Sequence, residues 1–204
     1  MTIISWNCQG AASKSFLRAA KHIIATYKPK LMCLLEPKIS GSEADKVCRK
    51  LALDQWMRIE ALGFSGGIWI MWNECWIVDI RLTHPQFALV DIIYESNRKW
   101  NLACVYGSPS LHLRNRLWEN LGRVQGSIEG PWMAIGDFNS ITCAEEVSNP
   151  DTFAANRCTK FKAWLDREGM VDIGFSGPKF TWTRGKNSEH FRGARLDRAV
   201  CSPE

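Results

Sequence analysis

Trp132-Met133-Ala134-Ile135-Gly136-Asp137-Phe138-Asn139 is an apolar run that stops abruptly in a glycine, a carboxylate, an aromatic ring and a carboxamide. It predicts a buried strand over 132–139 that delivers Asp137 and Asn139 to the rim of a sheet. The two should point the same way, because side chains two apart on a strand share a face. An ionised carboxylate only accepts hydrogen bonds, whereas a carboxamide donates and accepts. That pair suits the handling of a water and a phosphate oxygen.

Working outward, the spacing of Leu113, Leu117, Trp118, Leu121 and Val124 predicts a helix over 111–125 with those residues inward. Downstream come a polar loop over 142–151 and a helix over 156–168 that buries Phe161, Trp164 and Leu165 and ends at Gly169, a residue fit for the C′ position. Short strands over 170–173, 180–184 and 195–200 follow. At the other end of the chain, a β-prone run over 2–6 breaks at Asn7-Cys8-Gln9-Gly10, and a helix over 13–27 stops at Pro29. Residues 31–35 are continuously apolar, the mark of a strand buried on both faces. Strand, helix and strand make a parallel βαβ unit, whose strands end in Asn7 and Glu36 at one edge. Ser42 is expected to cap a second helix that buries Val47, Cys48 and Leu51. Strands over 58–62, 67–72, 76–82, 87–94 and 100–106, separated by turn-forming groups such as 63–66 and 96–98, read as one antiparallel meander. These elements imply a single α/β domain over 1–204, built as two packed mixed sheets flanked by helices.

Composition narrows the class. At 204 residues, with 46% hydrophobic and 23% charged residues, the chain can bury one sizeable core. A net charge of +5 permits a polyanionic partner without requiring one. The eight cysteines form no CxxC pair and no zinc-ligand spacing, and several sit in apolar runs, so they read as reduced, intracellular thiols. No signal peptide and no stretch long enough to cross a bilayer is visible, which implies a soluble chain with no membrane role. No basic localisation cluster marks it for the nucleus. No protein partner is legible, and a monomer is expected.

The residues that can carry chemistry are Asn7, Glu36, Tyr106, Asp137 and Asn139, each at a strand end, and Asp197 within Arg195-Leu196-Asp197-Arg198. Each has a plainer reading. A strand-end Asn or Asp commonly caps a turn. Asp197, between Arg195 and Arg198, fits a surface ion pair of little worth. Tyr106 fits a packing residue with a wet hydroxyl. Together they match what phosphodiester hydrolysis requires. A hard cation needs oxygen ligands such as Glu36, a water needs a group such as Asp137 to orient it, and developing charge needs neutral donors such as Asn7, Asn139 and Tyr106.

Ile4-Ser5-Trp6-Asn7, Leu35-Glu36-Pro37-Lys38, Tyr106-Gly107, Gly136-Asp137-Phe138-Asn139 and Arg195-Leu196-Asp197-Arg198 resemble, in order, the motifs of the endonuclease/exonuclease/phosphatase superfamily, the DNase I-like proteins. Asp172-Ile173-Gly174-Phe175-Ser176-Gly177 and Phe180-Thr181-Trp182-Thr183 are similar to segments of the endonuclease domain of plant-type LINE retroelements. The resemblance implies a four-layered α/β sandwich and a Mg²⁺-dependent (or Mn²⁺-dependent) phosphodiester hydrolase acting on DNA. RNA, a smaller phosphate ester, or nucleic-acid binding without catalysis are the alternatives. It implies that Glu36 ligates the metal, Asn7 supports the metal–phosphate site, and Tyr106 bonds the scissile phosphate. Asp137 would activate water, Asn139 steady the transition state, and Asp197 buttress a catalytic histidine. Lys38, Trp182, Arg184, Lys186, Arg192, Arg195 and Arg198 are expected to contact a nucleic-acid backbone.

Three departures stand against this pattern. The Ser-Asp-His segment and last strand that follow Asp197 in the family do not occur before Glu204. None of His22, His84, His112 and His190 matches that motif, so weak or absent turnover is expected. Gln9 also stands where some relatives carry a metal-binding acid.

Overall fold

The structure is a computed structural model, and it describes residues 1–62, 66–95, 98–153, 155, 158–185 and 188–203. The chain divides into two compact units, 1–106 and 107–204.

In the first unit β1 (Ile3–Asn7) and β2 (Leu31–Leu35) run parallel, joined by α1 (Lys14–Tyr27). Ser13 caps α1 by accepting from the Phe16 amide, and Lys28 closes it in a left-handed conformation just before Pro29. β2 is buried on both faces, as its sequence requires. The second helix, α2 (Gly41–Cys48), starts one residue before the expected cap, after Ser40. It turns Ala44, Val47 and Cys48 onto a core that includes Leu34, Leu51, Leu53 and Trp69.

The expected meander is instead divided. β3 (Gln55–Ile59) and β4 (Ile68–Trp72) join the βαβ pair in the order β1-β2-β4-β3, while β5 (Ile77–His84), β6 (Phe87–Tyr94) and β7 (Arg98–Tyr106) form a separate antiparallel run. β4 is buried on both faces: Trp69 and Met71 join the core that holds Phe16, Ala20 and Val47, while Ile68 and Ile70 are buried on the opposite face. Its edges pair with β2 and β3. β7 in turn contacts β2 and β4. The turns expected at 63–65 and 96–97 lie outside the described residues.

In the second unit α3 (Leu111–Gln125) has the expected bounds, but its inner face differs. Leu113 is 45% exposed, and Arg114 is buried in its stead, donating to the carbonyls of Ser108 (2.5 Å) and Pro109 (3.1 Å). β8 (Trp132–Asp137), β12 (Asp197–Cys201) and β9 (Val171–Asp172) form an antiparallel set in the order β8-β12-β9. α4 (Thr159–Arg167) buries Phe161, Trp164 and Leu165 against α3, and Gly169 follows at φ +62°. The expected start of α4, at 156–157, lies outside the described residues. β10 (Trp182–Arg184) and β11 (Arg192–Ala194), the latter not foreseen, pair as a hairpin.

Candidate active site

The predicted residues fall into two clusters, one in each unit. In the first, parallel pairing sets Asn7 opposite Leu35, so the ends of β1 and β2 lie side by side. The Cys8 amide donates to the Leu35 carbonyl (3.0 Å), and burial pushes the Cys8 thiol up to about 11, an unreactive thiol. Asn7 Oδ1 accepts from the Gln9 amide (3.3 Å). Beyond β2 the backbone turns sharply. Glu36 and Lys38 both have positive φ (+54° and +57°), and Glu36 N–H donates to the Gly67 carbonyl (3.1 Å). Gly67 is required here: its φ is +91°, and a Cβ would come 2.9 Å from Pro37 Cγ. The turn presents Glu36 to two partners. The Tyr106 hydroxyl donates to Oε1, and the Lys38 ammonium lies 3.5 Å from Oε2.

Glu36 is thus a half-buried carboxylate with hard oxygen donors, beside a carboxamide. Among the described residues no group of three or more His, Cys, Asp or Glu could hold a metal ion. One carboxylate with neutral oxygens fits Mg²⁺, which keeps several waters and commonly binds through one or two carboxylates plus substrate phosphate.

The second cluster is built on the loop after β8. The strand ends at Asp137, before Asn139, so strand alternation does not set the direction of Asn139. A turn does this instead. Asn139 adopts φ +47°, its amide donates to Asp137 Oδ1 (2.8 Å), and its Nδ2 donates to the Gly107 carbonyl (2.8 Å). The Gly107 amide returns a bond to the Asp137 carbonyl (2.7 Å), and a Cβ on Gly107 would collide with the Phe138 carbonyl. Phe138, between the two polar residues, is fully buried and anchors the loop among Trp118, Phe161 and Trp164.

Asp197 is the direct cross-strand partner of Asp137. Side chains so paired emerge on one side of a sheet with Cβ atoms roughly 4.5–5.5 Å apart. Burial raises the Asp197 carboxyl above its ordinary value, against the opposing pull of Thr181, its own amide and Arg198. Thr181 Oγ1 also accepts from the amides of Leu196 and Asp197 (3.0 Å each), tying the Phe-Thr-Trp-Thr segment to the aspartate strand.

The arginines flanking Asp197 do not form the surface pair considered for them. Arg195 (8% exposed) and Arg198 (6%) turn inward, which removes both from the cations available at the surface. Arg195 bonds Glu146 Oε1 (3.1 Å) and Asp172 Oδ1 (2.8 Å). Arg198 bonds Glu146 Oε2 (2.7 Å) and Asp172 Oδ2 (2.7 Å). Burial opposes ionisation of both acids. The Arg198 bond and the Thr142 amide outweigh it at Glu146, and the Arg195 bond and the Gly174 amide do so at Asp172, so both carboxyls lie below their ordinary values. Nothing local in the sequence marks Glu146, which sits in a polar loop, and Asp172 stands out only as the first residue of the LINE-like segment. Trp182, Arg184 and Arg192 are exposed on the β10–β11 hairpin. Arg184 and Arg192 are cross-strand partners, and Trp182 shares their face. Lys186 lies outside the described residues.

The sequence matches the model of the Endonuclease/Exonuclease/phosphatase family over residues 4–204, and the chain belongs to that family. Among curated proteins no sequence matches. Solved structures share the fold. An AP endonuclease from Leishmania major superposes with a TM-score of 0.74 at 17% identity, covering 98% of this chain and 78% of its own. The endonuclease domain of TRAS1, a telomere-specific non-LTR retrotransposon, gives 0.72 at 15% identity (98% and 84%). The 3′-5′ exonuclease NExo from Neisseria meningitidis gives 0.73 at 18% identity (100% and 87%). The fold is therefore the α/β, DNase I-like one, and the family is one of nucleases and phosphoesterases. Among the described residues no helix is long and apolar enough to cross a membrane.

Proposed function

We propose that the chain is a Mg²⁺-dependent phosphodiester hydrolase of the endonuclease type, acting on DNA as a single catalytic domain. The observation that carries this reading is the turn at Asp137 and Asn139, where the Asn139 amide grips Asp137 Oδ1 and leaves a carboxylate and a carboxamide at one strand end. Asp137 orients and deprotonates the attacking water, a role that contributes about 10²–10⁴-fold. Asn139 and Tyr106 donate to the phosphate oxygens as charge develops. Glu36, with Asn7 beside it, would hold the divalent ion, which would supply Lewis-acid stabilisation at the phosphate. Lys38 offsets the Glu36 charge.

The hairpin supports a nucleic-acid substrate. Two arginines placed directly opposite each other repel, and a phosphate backbone relieves that repulsion, with Trp182 available for stacking. Two of the structural neighbours are described as an AP endonuclease and as a 3′ phosphatase bound to a product DNA hairpin. For these 204 residues alone the turnover should be slow, because among the described residues Asp197 is met by Thr181 rather than by an imidazole.

Nicking of supercoiled plasmid in Mg²⁺ tests the reading. Slow, EDTA-sensitive nicking that disappears in Asp137→Ala is expected. Salt-sensitive DNA binding with no Mg²⁺-dependent nicking would overturn catalysis and leave a nucleic-acid-binding protein.

A further inference from the structure

The four-membered charge cluster beneath the Asp137 loop has a geometry that packing alone does not require. We propose that Glu146, Asp172, Arg195 and Arg198 are positioning residues that hold Asp137 and Asn139 in register with Asp197; this rests on the phosphodiesterase reading above. Two carboxylates and two guanidiniums alternate around a closed ring, so the buried cluster is neutral. A neutral ring of this kind is seldom the most stable filling for a core, since apolar residues of similar volume often serve as well or better. What apolar residues cannot supply is the set of backbone bonds the ring makes.

Arg198 Nη2 donates to the carbonyls of Ser140 (3.3 Å) and Arg195 (3.2 Å), and Glu146 Oε2 accepts from the Thr142 amide (2.6 Å). Ser140 follows Asn139 directly, and Arg195 lies two residues before Asp197. One guanidinium therefore grips the segment that follows Asp137 and the segment that leads into Asp197, while Glu146 fixes the far side of the loop. Arg195 and Arg198 also stack over Phe175 (4.8 Å) and Phe161 (5.2 Å), and Phe161 packs on Phe138 itself. The loop is thus held through its backbone and through the ring between its two polar residues.

The test compares Arg198→Lys and Glu146→Gln, which keep size and polarity, with Arg58→Lys as a control. Arg58 bridges Asp45 and Glu60 in the first unit and touches none of these residues. Each variant is assayed for plasmid nicking in Mg²⁺, and amide hydrogen exchange is followed at Asn139 and Thr142. In the two ring variants kcat should fall roughly 10- to 100-fold at unchanged KM. Exchange should quicken at Asn139 and Thr142 while β8 and α4 stay protected. Arg58→Lys should change neither. Unchanged kcat and unchanged local exchange in folded ring variants would sink the proposal, as would exchange that quickens uniformly. If the wild type does not nick, the exchange pattern alone decides the positioning role, and only the phosphodiesterase reading fails.

Discussion

The two units hold their polar residues by different means. In the first, Glu36 sits on a turn held by its amide bond to the Gly67 carbonyl and permitted by that glycine, and its side chain has two partners, the buried Tyr106 and the half-buried Lys38. In the second, Asp137 and Asn139 rest on a buried aromatic cluster and a buried ring of charges. The contrast follows the demands of the proposed reaction. Glu36 would hold an ion that keeps several of its own waters, whereas Asp137 would aim a water at phosphorus, where a misplacement of about 1 Å can cost roughly 10²-fold.

The largest expected effect separates the two. Asp137→Asn should lower plasmid nicking about 10²–10⁴-fold, with no recovery at high Mg²⁺. Glu36→Gln should lower it by less, and added Mg²⁺ should restore part of the rate. A Glu36 defect that Mg²⁺ leaves unmoved would remove the distinction.

Stability offers the next test. Arg198→Ala leaves the buried Glu146 and the half-buried Asp172 short of a partner and should cost about 3–5 kcal/mol in urea unfolding. Arg58→Ala, in a partly exposed bridge, should cost about 1 kcal/mol. Equal losses would mean that the second unit is no more rigidly held than the first.

Acid should sharpen the same difference. Glu146 and Asp172 have depressed folded values, so their contribution is fully present above the ordinary carboxylate range near 4 and is lost as pH falls through the depressed values. Glu146→Gln should therefore flatten the fall in stability at low pH. Asp197 has the opposite sign. Its raised carboxyl binds a proton more readily when folded, so its contribution declines as pH rises through the raised value. Asp197→Asn should stabilise the fold slightly at pH 7, the smallest of these effects, while reducing nicking. A destabilised Asp197→Asn would contradict that sign.

Much of this was legible in the chain itself. Alternating and continuous apolar runs specify strands by period and by the number of buried faces, so β2, β6 and α3 fall where the spacing places them. Asn7, Glu36, Tyr106, Asp137 and Asn139 stand out because each closes an apolar run, and Asp197 because of its place in Arg195-Leu196-Asp197-Arg198. What sequence reading could not supply was partner choice. β4 reads as the next strand of a meander, yet it pairs with β2 and β3, and β2 lies more than thirty residues back in the sequence. Arg195 and Arg198 read as surface cations, because nothing local shows that Glu146, about fifty residues away, completes their ring. The direction of Asn139 was inferred from strand alternation, but a left-handed turn sets it. Local pattern determined which segments are strands, which are helices and which residues could act. Long-range packing decided which strands pair and where the charges go, since burial and charge pairing depend on neighbours that only the folded chain brings together.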